Sequence, residues 1–319
     1  MTKRKVYFRA DASADIGYGH FIRSLALADM LKDDFECIFF TQNPSEYQKN
    51  EAENVCKLVE LPCDNSKFEN FLSYLQGDEI VVLDNYFYTT EYQKLVKGKG
   101  CKLVCIDDLH DKHFYADLIV NHGVNDKSLY ENIIEPYSKL CLGLEYSLLR
   151  RPFLLQSSIK TRNEDIVVCF GGADPLRLTD RVVSMLLKIA IPYNIKVILG
   201  EKVYLSDENR KRVDVLSNLR ANQMAMLFDQ SSAGIFSAST VCIEALSRNL
   251  PIIAGFYVDN QYDFYRMLEQ NGYIIPLGQL QNVTTGRLEN AVEKLKIFVS
   301  KHLERADIAS NIIKAFRSI

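Results

Sequence analysis

No stretch of this 319-residue sequence is apolar for long enough to cross a membrane. The longest apolar runs, such as IIAGFYV (252–258), fall far short of the roughly 20 residues a helical span needs. The opening MTKRKVYFRADAS is basic but carries no apolar segment of signal-peptide length, so a cytoplasmic protein without stable membrane insertion is expected. There is no basic tract: 38 Lys and Arg stand against 41 Asp and Glu, for a net charge of −3. Nucleic-acid binding needs a concentrated positive face, so no nucleic-acid partner is expected. The eight cysteines include no C-x-x-C pair, which leaves no zinc or redox spacing and predicts buried thiols in a reducing compartment. In CKLVC (101–105) the two thiols are four apart on a predicted strand and share a face. Neither a G-x-G-x-x-G fingerprint nor a P-loop is present, and no repeat or low-complexity tract appears.

What is there is an alternation of short apolar runs with helical patterns. Strands are predicted at 5–9, 36–41, 79–84, 102–107, 117–121, 165–170, 194–200, 232–236 and 251–256. Most are apolar nearly throughout, as in parallel sheets covered on both faces. RRPFLLQSSIKTRNED (150–165) shows no clear period and precedes a fresh strand, so the domain junction is placed there. The expected fold class is α/β, with domains at 1–155 and 164–319; whether the last helix packs back on the first domain is left open. Residues 1–150 carry a charge balance of −7 and the remainder +4, which fits an anionic ligand held by the second half. In open α/β sheets ligands bind beyond the carboxyl ends of the strands, and two such domains place the expected site in a cleft between them.

Four stretches carry candidate chemistry. In RADASADIGYGHFIRSLALADML (9–31), a strand feeds a polar loop with Gly17 and Gly19 and then a helix with His20 in its first turn. The positive end of the helix dipole disfavours the imidazolium there, and a neutral imidazole suits a general base. From spacing alone an ordinary turn-capping histidine fits as well. In VVLDNYFY (81–88), Asp84, Asn85 and Tyr86 follow a buried strand, and CIDDLHD (105–111) sets Asp107 and Asp108 at the same sheet edge; carboxylates in such places are also turn formers. VVCFGGADP (167–175) offers Gly171 and Gly172 as a backbone nest for phosphate. In GIFSASTVCIEAL (234–246), a strand leads to Ser237 and a helix capped by Ser239 or Thr240, whose free amides suit a pyrophosphate. Glu244, a turn further on, could accept from ribose hydroxyls. Asn260 and Gln261 in YVDNQYDFY (257–265) suit the amide and hydroxyl groups of a sugar.

These stretches, with LIVNHG (118–123), LGLEYSLLRRPF (142–153) and FSASTVCIEALSRNLPIIAGFYVDNQ (236–261), span most of the chain. In that order they resemble the UDP-sugar hydrolases of pseudaminic acid biosynthesis. The later motifs are shared in outline with the wider GT-B glycosyltransferases. The resemblance implies two Rossmann-like domains of GT-B type facing each other across a cleft, UDP held by the second, and no metal or other cofactor. It implies inverting hydrolysis of UDP-2,4-diacetamido-2,4,6-trideoxy-β-L-altrose to free sugar and UDP. The family's histidine falls on His20, which activates water; its tyrosine, asparagine and glutamate fall on Tyr86, Asn260 and Glu244. Asp11 or Asp15 then orients His20 or binds the sugar, and Arg9, Asp84 and the glycines of both loops complete the substrate-binding set. Two other readings remain open: a GT-B glycosyltransferase using a UDP-sugar donor, and a UDP-sugar-binding protein without turnover.

Overall fold

The computed structural model describes residues 3–13, 17–157, 159, 161–172, 174–189, 191–200 and 202–319. Two α/β units are formed. The first takes in the chain up to Ser13, Tyr18–Arg150 and Ala306–Ile319; the second takes in Gly17 and Arg151–Arg305. The final segment therefore belongs with the first unit, which is the arrangement the sequence left open.

The first unit holds a seven-stranded sheet of β1 (Lys5–Arg9), β2 (Glu36–Gln42), β3 (Lys57–Leu61), β4 (Ile80–Leu83), β5 (Lys102–Ile106), β6 (Leu118–Asn121) and β7 (Lys139–Leu142), in the order β3-β2-β1-β4-β5-β6-β7. The second holds β8 (Asp165–Cys169), β9 (Asn194–Leu199), β10 (Asp214–Ser217), β11 (Ala233–Ser237), β12 (Ile252–Phe256) and β13 (Ile275–Gln279), in the order β10-β9-β8-β11-β12-β13. Every pairing in both sheets is parallel. The crossovers carry α1 (Gly19–Leu31), α2 (Glu46–Ala52), α3 (Ser66–Ser73) and α4 (Thr90–Gly98) in the first sheet. They carry α6 (Leu178–Ile189), α7 (Asp207–Arg210), α8 (Ala221–Gln230), α9 (Thr240–Ser247), α10 (Tyr262–Gln270) and α11 (Thr285–Lys294) in the second, which α5 (Arg151–Leu154) precedes. The last helix, α12 (Ile308–Arg317), returns to the first unit.

The order reverses once in each sheet, between β1 and β4 and between β8 and β11. Adjacent strands at such a point send their connections to opposite faces, which opens a crevice at their carboxyl ends. The candidate loops of the first unit leave β1, β4 and the adjacent β5, and those of the second leave β8, β11 and the adjacent β12.

The strands foreseen from sequence are buried on both faces; β1, β4, β5, β6 and β8 have scarcely an exposed residue. The strands not foreseen are β3, β7, β10 and β13, the four sheet edges. Lys57 and Glu60 of β3, Lys139 of β7 and Asp214 and Ser217 of β10 face solvent, so no continuous apolar run marks them. In β13, Pro276 and Gly278 break the pattern, and the register with β12 shifts between Ala254 and Gly255.

Helix α1 is buried around most of its circumference: Phe21, Leu25, Leu27 and Leu31 are enclosed, and Ile22 only half so. One side meets the sheet, where the rings of Phe21 and Phe39 lie 5.1 Å apart, and α12 packs on another. Phe316 of α12 is fully buried against Phe35, and Lys139 donates to the carbonyl of Ser318 at 2.7 Å. All eight cysteines are free thiols; most are buried as expected, but Cys63 is exposed.

Candidate active site

Three neighbouring strands, β1, β4 and β5, end together, and the residues just past them meet the start of α1. Asp84 follows β4 and is 1 % exposed. Its Oδ1 lies 2.8 Å from His20 Nδ1, its Oδ2 accepts from Arg23 Nε at 2.8 Å and from Ser24 Oγ at 2.9 Å, and Arg23 Nη2 reaches Oδ1 at 2.5 Å. His20, Arg23 and Ser24 share one helical face because they stand at i, i+3 and i+4. Burial alone would raise the Asp84 carboxyl, but the Arg23 charge and the hydrogen bonds from Arg23 and His20 outweigh it and hold the group well below the ordinary carboxylate range. An ionised carboxylate only accepts hydrogen bonds, so the proton between it and the imidazole belongs to Nδ1. The Nε2 lone pair is thereby left as the basic position of the ring. Arg23 Nη2, 3.2 Å from the same Nδ1, adds a positive charge beside the ring.

Arg23 also donates through Nη1 to Asp108 Oδ2 at 2.8 Å, and Tyr86 donates to that same oxygen at 3.1 Å. Partial burial and the Asp108 carboxylate push the Tyr86 hydroxyl up, so it stays protonated. The Tyr86 ring meets the imidazole edge to face, with centroids 4.8 Å apart at 80°. Asp107 does the work of a turn former, accepting from the amides of Leu109 and His110 and from Tyr130.

Arg9 and Asp11 lie beneath this surface. Both are wholly buried and form a two-pronged ion pair. Asp11 accepts further from Lys67 and from the amide of Gln42, each at 2.9 Å, while Asn85 brackets its backbone at 2.7 and 3.1 Å. Burial would raise the Asp11 carboxyl, but Arg9 and Lys67 outweigh it and hold it low. Their charges are spent on tying the β1 loop to β2, α3 and the β4 loop, and neither presents a surface to a ligand. Gly17 takes φ +83°, which only glycine adopts freely, and a Cβ on Gly19 would meet nothing within 4 Å. Asp15 lies outside the described residues.

In the second unit, Gly171 follows β8 with φ +101°, and a Cβ there would come 3.9 Å from the Tyr257 hydroxyl. Gly172 packs so closely on Gly200 that a Cβ on the latter would stand 2.2 Å from the Gly172 oxygen. Ser237 ends β11, and Ser239 is the N-cap of α9. The Ser239 hydroxyl turns back to the Ser237 carbonyl at 3.4 Å, so no side chain caps the amides that open α9 at Thr240. Uncapped amides at a helix N-terminus are a ready position for an anion. Glu244 is 3 % exposed on the buried side of α9. Asn260 sits half-buried in a one-turn helix at Asp259–Gln261; Gln261 spends its side-chain oxygen on the Tyr257 amide at 3.1 Å.

No family model matches the chain. A UDP-2,4-diacetamido-2,4,6-trideoxy-β-L-altropyranose hydrolase of Campylobacter jejuni is 28% identical over 84% of this chain and 97% of its own length. The chain is a relative of that hydrolase. The spore coat polysaccharide biosynthesis protein SpsG of Bacillus subtilis is 23% identical over 84% of this chain and 82% of its own. An uncharacterised protein of Methanocaldococcus jannaschii is 26% identical over 82% of this chain, which spans only 57% of that protein's length. Among solved structures, MurG of Acinetobacter baumannii covers 98% of this chain and 95% of its own at 12% identity, with a TM-score of 0.57. UGT89C1 of Arabidopsis thaliana, solved with UDP-L-rhamnose, covers 98% and 94% at 11% identity, with a TM-score of 0.66. At these identities the likeness speaks for the fold alone, and that fold is GT-B.

Within the first unit this relative of the hydrolase brings His20, Asp84 and Tyr86 together as one group. Within the second, it gathers Gly171, Gly172, Ser237, Ser239 and Thr240 at one strand-end edge. Arg23 is the member that sequence reading missed. Its signal was an arginine three residues after His20, on the one face of α1 that also carries His20 and Ser24.

Proposed function

We propose that this chain hydrolyses a UDP-linked diacetamido-trideoxy sugar, with His20 as the base. Water attacks the anomeric carbon and gives a proton to His20 Nε2. The bond from that carbon to the UDP oxygen breaks, so inverted free sugar and UDP leave. Tyr86 lines the approach to the imidazole, and Asn260 contacts the sugar. UDP takes the uncapped amides at Ser239 and Thr240 and the Gly171–Gly172 loop, with Glu244 toward the ribose. The observation that carries the reading is the Nδ1 contact with buried Asp84, which favours the tautomer with its proton on Nδ1 and its lone pair on Nε2. The Campylobacter relative supports the substrate class and the reaction.

The test is turnover of UDP-2,4-diacetamido-2,4,6-trideoxy-β-L-altropyranose in oxygen-18 water. The label is expected in the free sugar. Positioned base catalysis is worth about 10²–10⁴-fold, and His20→Ala should lose that much kcat while still binding UDP. Label in the UDP, full activity in His20→Ala, or release of UDP only when an acceptor alcohol is added would each overturn the reading, the last in favour of a glycosyltransferase.

A further inference from the structure

The side chains around His20 form a closed circuit. His20 Nδ1 meets Asp84, Asp84 takes two donors of Arg23, Arg23 reaches Asp108, Asp108 accepts from the Tyr86 hydroxyl, and the Tyr86 ring returns to the imidazole. The five residues come from three places: α1, the end of β4 and the end of β5. Four of them touch the imidazole or the carboxylate paired with it. Asp108 touches neither, and nothing in the reading above gives it a task.

We propose that Asp108 is a positioning residue, which holds Tyr86 against the His20 ring and so fixes the direction in which Nε2 points. Three observations carry this. Tyr86 stands on a strand-end loop with 43% of its surface exposed, so packing alone does not immobilise it. Asp108 is itself anchored, because Arg23, which grips it at 2.8 Å, is buried and doubly bound to Asp84. Both donors to Asp108 fall on Oδ2, while Oδ1 is enclosed and meets no hydrogen-bond partner among the described residues. Asp107, beside it, already serves the turn, so Asp108 is not needed for that. An imidazole held only through Nδ1 could still swing about that bond; the Tyr86 ring closes the second side. Misplacing a reacting group by a fraction of its bonding distance costs rate without costing affinity.

The inference deepens the proposed mechanism, and its test has one arm that needs no turnover. In nuclear Overhauser spectra, cross-peaks between the Tyr86 and His20 ring protons are expected in the parent chain and should weaken in Asp108→Ala. In the kinetic arm, Asp108→Ala and Tyr86→Phe should each lower kcat by about 10–100-fold with KM little changed. The double variant should fall no further than the worse single one, because both remove the same hydrogen bond. Asp108→Asn, which can still accept from Arg23 and Tyr86, should recover most of the rate. Tyr86→Phe leaves the Arg23–Asp108 pair intact, so it remains informative if Asp108→Ala folds poorly. Unchanged cross-peaks, unchanged kcat, or losses that multiply in the double variant would overturn the proposal. Weakened cross-peaks in a protein that hydrolyses no UDP-sugar would uphold the positioning and overturn the mechanism instead.

Discussion

His122 directly follows β6 and feels the charges of Arg23, Asp108 and Asp84, and its environment sets a pH dependence on the first unit. Burial, reinforced by the Arg23 charge, lowers its imidazole to about 4. An unfolded histidine titrates near 6.5. Between those values the unfolded chain holds a proton that the native chain does not, so stability falls as the pH drops through that window and levels off below it. At pH 5 the loss is about 2 kcal/mol relative to pH 7. Asp11 and Asp84 do not add to it: their carboxyls are depressed, and their contribution persists above the unfolded carboxylate value near 3.9. Urea unfolding of the parent chain and of His122→Gln at both pH values checks this. The variant should lose less on acidification by that margin, and an equal loss in both would contradict it.

Among the elements, α12 changes how α1 must be understood. Read alone, α1 has an apolar stripe at Ile22, Leu25, Ala26 and Met30. Its burial is far wider, because a second helix from the far end of the chain covers another side. Phe316 is the anchor of that contact, with no exposed surface and its ring 6.3 Å from that of Phe35. Arg317 pairs with Asp34, and Arg4 donates to the Ile319 oxygen at 3.0 Å. Truncating a buried phenylalanine to alanine costs about 3–5 kcal/mol. Phe316→Ala should therefore lower the hydrogen-exchange protection of β1 and β4 amides by that amount. Protection left at the parent level would show that α12 contributes nothing to the first unit.

At the scale of the whole molecule, the same arrangement occurs twice, and the two copies differ in what they offer. Around β1 and β4 the edge is rich in ionisable side chains: His20, Arg23, Asp84 and Asp108. Around β8 and β11 it is rich in bare backbone: Gly171, Gly172 and the uncapped start of α9. Side chains that move protons suit the first, and amides that receive phosphate suit the second. Saturating UDP should then slow amide exchange at 170–172 and 237–242 and leave α1 between Phe21 and Leu31 as it was. At a hundredfold excess over Kd, bound nucleotide adds about 2.7 kcal/mol to the stability of the form that binds it. Protection concentrated on α1, with the α9 start unchanged, would place the nucleotide on the wrong unit.

The central strands were legible because a strand covered on both faces must be apolar at nearly every position, and VVCF or IVVL can be little else. The edges β3, β7, β10 and β13 were not, because one side of each meets water and a local pattern cannot tell such a strand from a loop. His20 and Asp84 could be nominated singly from the sequence, each as a residue just past a strand. Their pairing could not, since 64 positions separate them and only the parallel register of β1 with β4 brings them within 2.8 Å. Arg9 and Asp11 show the converse: at a strand end and in the loop after it they were expected to bind substrate, and the fold turns them inward onto each other. Residue type and local period determined which segments form the central strands of the two sheets. Which charges neutralise one another, and which nitrogen of His20 is left basic, was decided by tertiary contact alone, because an ion pair or a tautomer is a property of two side chains at hydrogen-bond distance.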